Sequence, residues 1–109
     1  MTSPYLYPGL ITKADVIDQT AAAIWGISVN DLNSKCRKEE FIFARHAVRY
    51  FRINKLEERP SIISREQKIN HATIWHSCKT AKALLSTDKD FAGKFQEMIN
   101  CLQSTNING

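Results

Sequence analysis

The chain has 109 residues, 43% of them hydrophobic and 24% charged, with a net charge of +4 and a pI near 9.1. That is one folded domain with its own core, and neither a disordered chain nor a membrane-spanning one, since no apolar stretch approaches spanning length. The charge is uneven: residues 35–82 hold 12 of the 15 Lys and Arg but only 5 of the 11 Asp and Glu, so one positive, phosphate-attracting face is expected. Cys36, Cys78 and Cys101 are odd in number and form no CxxC pair, which argues against a disulfide framework and for a reducing compartment. Cys78 and Cys101 fall on apolar helical faces, where a thiol behaves as a small hydrophobe. With His46, His71 and His76 they match no zinc-finger or ribbon spacing, so no metal is expected.

Residues 1–11 hold Pro4, Pro8, Gly9 and two tyrosines, the composition of an irregular arm, and Tyr5 or Tyr7 is expected to pack on the body. They lack the basic start and long apolar run of a secretory leader, so a cytoplasmic, nucleoid-associated protein is expected. Thr12 and Asp15 have capping-box spacing and open a helix from Lys13 to about Trp25. Val16, Ile17, Thr20, Ala21 and Ile24 face inward, and Gly26 stops the helix. Ser28 and Asp31 make a second capping pair, for a short helix from Val29 to about Asn33 with Val29 and Leu32 as its apolar contacts. Residues 34–38, SKCRK, form a basic connector.

A long helix follows over about 39–56, with Glu39 and Glu40 in its electropositive first turn and Phe41, Ala44, Val48 and Phe51 as its core stripe. Arg45, Arg49 and Arg52 recur at i, i+4 and i+7 and make another face basic, either a ligand-facing stripe or plain solvated surface. After the charged link 57–59, Pro60 fits a first helical turn and a short helix over 61–67 carries Ile62 and Ile63. A tight turn at 68–69 leads to a longer helix over 70–85. Its Ile74, Cys78, Ala81 and Leu85 share one face, while Asn70 caps it and His71, Ala72 and Thr73 fill its first turn. A helix buried at the rear, with small hydrogen-bonding and methyl groups at an electropositive tip, suits contact with an anionic partner; an ordinary core helix with a polar cap fits the same residues. Short helix, tight turn and longer helix is the layout of a helix-turn-helix. Residues 86–88 break the pattern. Thr87 with Asp90 then caps a last helix whose inner face is Phe91, Phe95, Met98 or Ile99, and Leu102, before a frayed tail over 103–109. The expected domain is therefore 12–102, an all-α bundle of about six helices.

The run RKEEFIFARHAVRYF, followed by NHATIWHSCKTAKALL, resembles the C-terminal DNA-binding domain (domain IV) of the bacterial replication initiator DnaA. Ser34, Lys35 and Arg37 fall on that family's basic loop, Arg45 and His46 on its Arg-Gln pair, and Pro60 and Ile62 on its short helix. Asn70, His71, Ala72, Thr73 and Ile74 fall on the Asp-His-Thr-Thr-Val motif that opens its recognition helix, and His76 and Cys78 match its continuation. The likeness runs from about Val16 to Leu102. Asn70 and Ala72 depart from the motif, Ile63 and Glu66 stand for a Gly and an aromatic, and residues 67–69 replace a Gly-rich turn.

The resemblance implies a TrpR/DnaA domain IV-like fold that binds double-stranded DNA sequence-specifically, in replication initiation or its regulation. It places Asn70, His71, Ala72 and Thr73 in the major groove and Arg37 in the adjacent minor groove of an A·T-rich box. Lys35, Arg45 and Lys68, with Lys38, fall at phosphates, and His46 and Pro60 where the family touches the backbone. Gly9, Gly26, Gly93 and Gly109 are the only glycines, so no GxxxxGK[ST] phosphate loop exists; a free-standing DNA-recognition domain is therefore expected, with neither a nucleotide nor a cofactor. No nucleophile–base pair or carboxylate pair stands out, so no enzyme is expected. Replication or mobile-element proteins are the further partners it suggests. The competing class is a protein–protein adaptor with a degenerate helix-turn-helix, in which Trp75 is a contact rather than core.

Overall fold

The computed structural model describes residues 13–103. The arm expected over 1–11, Thr12 of the first capping pair, and the tail beyond Gln103 lie outside the described residues. Six helices follow one another: α1 (Ala14–Trp25), α2 (Val29–Leu32), α3 (Glu39–Asn54), α4 (Pro60–Gln67), α5 (His71–Thr87) and α6 (Lys89–Leu102). The all-α bundle expected from the sequence is what forms, and among the described residues there is no strand.

Two cores of unequal size organise it. The larger joins α1, α3 and α6 through Ile17, Trp25, Val48, Phe51, Phe91, Phe95, Met98 and Leu102, with Ala81 of α5 at its edge. The smaller holds the helix-turn-helix: Ile63 of α4 against Ile74 and Cys78 of α5, with Tyr50 and Ile53 of α3 and Ile69 of the turn packed alongside. Tyr50 packs against both cores. The expected α3 stripe of Phe41, Ala44, Val48 and Phe51 is buried throughout. In α1, Ile17 and Ala21 are buried and Val16, Thr20 and Ile24 are half-buried. Gly26 stops α1 in the left-handed region at φ 70°.

Several local expectations are corrected. The third helix ends at Asn54 rather than near Leu56, which folds back as a fully buried plug. The break before the last helix is Asp88 alone, and α5 continues to Thr87. Asp88, not Thr87, caps α6: its Oδ1 accepts from Asp90 N at 3.0 Å and Phe91 N at 3.1 Å. Thr87 instead donates its hydroxyl to Ala83 O inside α5. Cys78 is buried as expected, but Cys101 is exposed, because Met98 and Leu102 already fill the inner face of α6.

The Ser28–Asp31 capping box forms in both directions, at 3.0 and 3.3 Å. Asn70 caps α5 as its position predicts: Oδ1 accepts from the Thr73 N–H at 2.9 Å and from the Thr73 hydroxyl at 3.0 Å. Asn70→Ala is therefore expected to cost about 1 kcal/mol, a usual value for a lost N-cap. Urea denaturation checks this, and an unchanged midpoint would show that water replaces the cap without loss.

Candidate nucleic-acid interface

The turn between α4 and α5 is closed without glycine. Lys68 takes the left-handed conformation, φ 56° and ψ 47°, which costs a non-glycine residue about 1 kcal/mol. Ser64 holds the turn from both sides, its carbonyl accepting from Ile69 N at 3.1 Å and its hydroxyl donating to Ile69 O. The strained residue is exposed and cationic, at the mouth of a cleft of about 740 Å³.

That cleft lies between the basic connector and the helix-turn-helix. Asn33, Ser34, Lys35 and Arg37 line it from the connector; Lys68, Ile69, Thr73 and His76 line it from the turn and α5; α3 contributes Arg45, His46 and Arg49. Among the sequence-selected residues, Lys35, Arg37, Arg45, His46, Lys68 and Thr73 are thus brought together. Asn70, His71 and Ala72 do not line the cleft; they form the exposed first turn of α5 beside Thr73. Pro60 is half-buried in the first turn of α4, outside the cleft.

The connector is rooted rather than loose. Arg45 donates Nε to Leu32 O at 2.7 Å and Nη2 to Asp31 O and Ser34 Oγ, each at 3.2 Å. Ser34 Oγ in turn donates to Asp31 O at 2.8 Å and accepts from Cys36 N at 3.2 Å. Beyond this knot Lys35 and Arg37 are exposed and make no hydrogen bond or ion pair with another described residue. Lys38 stands 5.6 Å from the centre of the Phe41 ring.

Of the i, i+4, i+7 arginines, Arg49 and Arg52 are spent on tertiary hydrogen bonds and are not solvated surface, while Arg45 roots the loop and lines the cleft. Arg49 donates to Gln67 Oε1 and to Ser77 Oγ, both at 2.8 Å, tying α3 to α4 and α5. Arg52 is 3% exposed and is gripped by two carboxylates: Glu58 at 2.7 and 3.0 Å and Glu66 at 2.9 Å. Burial opposes its charge, but the bonds to Glu58 and Glu66 prevail and raise its pKa above the ordinary guanidinium value. Burial lowers the pKa of Arg49, with Arg45 adding to it; burial also lowers that of Arg45, where Arg37 works the same way and Cys36 opposes.

His46 is 8% exposed, its Nδ1 has no partner, and its ring meets the edge of His76 at 6.2 Å between centres. Burial first, then Arg49, His76 and Arg45, push its pKa down to about 4, so the imidazole is neutral at pH 7. Asp18 of α1 also lines the cleft, and burial raises its pKa to about 6 although Arg52 works against this. Nothing local in the sequence pointed to Asp18, Gln67 or Ser77.

A short helix, a pinned turn and a second helix with an exposed polar tip, set beside a rooted basic loop, define a helix-turn-helix domain with one basic concave face. The family model described as the bacterial DnaA protein helix-turn-helix matches residues 14–81. The chain is 31% identical over 96 residues to the chromosomal replication initiator protein DnaA of Bacteroides thetaiotaomicron, covering 84% of this chain and 20% of that protein. It is 33% identical over 89 residues to DnaA of Flavobacterium psychrophilum, covering 79% and 18%, and 27% identical over 100 residues to DnaA of Bacteroides fragilis, covering 88% and 21%. This chain belongs to the bacterial DnaA helix-turn-helix family, and it spans about a fifth of the length of these curated relatives.

Proposed function

We propose that this domain binds double-stranded DNA sequence-specifically, in replication initiation or its regulation. The observation that carries the reading is spatial: Arg37 on the rooted loop and Thr73 in the first turn of α5 line one cleft, with His71 and Ala72 exposed beside it. One duplex then meets both, with the first turn of α5 in the major groove and Arg37 in the neighbouring minor groove, favoured where A·T-rich sequence narrows it. His71 bonds a base edge, and Ala72 and Thr73 offer methyls to thymine. Asn70 spends both lone pairs of Oδ1 on the cap, so its free amide donates to a base acceptor such as purine N7 or thymine O4. Lys35, Lys38 and Lys68 meet phosphates, and Arg45 adds the Nη1 donors that the loop leaves unused. His46 behind Arg45, and Pro60 at the start of α4, complete the backbone path.

A salt series with labelled duplex tests this. With about four phosphate contacts, affinity should fall roughly a hundredfold between about 50 and 200 mM salt. At fixed salt, Arg37→Ala should weaken binding to an A·T-rich box about tenfold, about 1.4 kcal/mol. Equal affinities of variant and wild type would remove Arg37 from the minor groove. A protein–protein adaptor is the second reading, favoured by the exposure of Trp75 at 53% and Ile62 at 40%, and it predicts no salt-sensitive duplex binding at all.

A further inference from the structure

Trp75 is 53% exposed, an uncommon position for the largest apolar side chain. It stands four residues after His71, one helical turn further along α5 and on the same side of it. The surface around it has one sign of charge: residues 71–87 contain no Asp or Glu, and Lys79 and Lys82 are exposed on the following turns. An exposed indole between a histidine and two lysines, on a helix without a single acid, is matched to a polyanion whose interior is apolar. Duplex DNA is such a partner, with thymine methyl groups on its major-groove floor and phosphates at its rims.

We propose that Trp75 is a second specificity-determining contact in the DNA interface, its indole resting against a thymine methyl one helical turn beyond His71. The inference rests on the DNA-binding reading above and extends it from the first turn of α5 to the second. His71 and Trp75 then read neighbouring base steps, one by hydrogen bonding and one by apolar contact, while Lys79 and Lys82 meet the flanking phosphates. The side chain is mostly in solvent, so its removal leaves both cores intact.

The two tryptophans make the test direct. Trp25 is buried against Phe91, with ring centres 5.7 Å apart, and Trp75 is open to solvent, so acrylamide quenching reports almost wholly on Trp75. Trp75→Phe supplies the Trp25-only baseline. The probe is a duplex recovered from a random pool by the wild-type chain, with binding followed independently by anisotropy of a labelled strand. Bound wild type should show quenching reduced nearly to that baseline. Trp75→Ala should bind the selected duplex roughly tenfold more weakly and a scrambled duplex unchanged. Replacing the contacted thymine by deoxyuridine should cost the wild type about fourfold, the worth of one buried methyl, and cost Trp75→Ala nothing. If the duplex binds while Trp75 stays fully quenchable, or if Trp75→Ala keeps full affinity and discrimination, this inference is overturned and the DNA-binding reading stands. Absence of salt-sensitive binding by the wild type overturns both.

Discussion

Arg52→Ala should destabilise the domain by about 3 kcal/mol or more, the usual cost of stripping one partner from a buried ion pair. The guanidinium is 4% exposed in its side chain and makes three bonds, two to Glu58 and one to Glu66. Its loss strands the Glu58 carboxylate, whose side chain is only 12% exposed, without a countercharge; Glu66, at 45%, recovers its hydration. The ion pair also compensates for the small apolar seam of the helix-turn-helix. Ile63, Ile74 and Cys78 are the buried residues of that core, so the polar ties from α3 to Glu66 and Gln67 are a large part of what holds α4. The loss should therefore appear first as faster amide exchange in α4 and as a fall in melting temperature of roughly 12 °C or more. Adding Glu58→Gln and Glu66→Gln to Arg52→Ala should recover much of the loss, because no buried carboxylate is then unpaired. A cost below about 1 kcal/mol would mean that the triad fixes position without contributing stability.

The fate of the arginines shows where sequence pattern is sufficient and where it is not. Helical period identified the faces correctly: Phe41, Ala44, Val48 and Phe51 form one buried stripe of α3, and Arg45, Arg49 and Arg52 share another. Period does not say what covers a face. Glu58 is 6 residues from Arg52 and Glu66 is 14, while Gln67 is 18 and Ser77 is 28 from Arg49. Those acceptors arrive only when the 57–59 link, α4 and α5 fold back over α3, so no local rule separates a tertiary rivet from an exposed cation. Capping is the opposite case. The Ser28–Asp31 box and the Asn70 cap were legible because donor and acceptor lie three residues apart. Asp88 was missed because an adjacent Thr87 offered the same chemistry one residue early, and backbone direction chose between them. The candidate interface was legible as a set of residue types through the family motif. Its geometry was not: only the folded chain shows that Arg45 roots the loop and that His46 is buried.

His46→Gln should turn a nearly flat acid-stability profile into one that rises as pH falls. Two groups of the same cleft titrate in one window with opposite signs. The folded pKa of His46 is depressed from 6.5 to about 4 by burial, with Arg49, His76 and Arg45 adding repulsion. Its stability contribution is present above pH 6.5 and is lost as pH falls to about 4, because the unfolded chain takes up the proton first. The folded pKa of Asp18 is raised from 3.8 to about 6 by burial, against Arg52 and with help from Asp15 and Glu66. Its contribution is present below pH 3.8 and is lost as pH rises through about 6. Each displacement is worth up to about 3 kcal/mol, and about 2 kcal/mol after solvent screening in an open cleft. In the wild type the two slopes oppose each other between pH 4 and 6 and largely cancel. Glutamine at position 46 does not titrate, so the slope of Asp18 stands alone, and stability should increase by about 2 kcal/mol from pH 6.5 to pH 4. Asp18→Asn should give the mirror image, a loss of similar size over the same window. Urea denaturation at half-unit steps of pH measures both. If the variants follow the wild-type profile, neither side chain is held in the cleft in the form described.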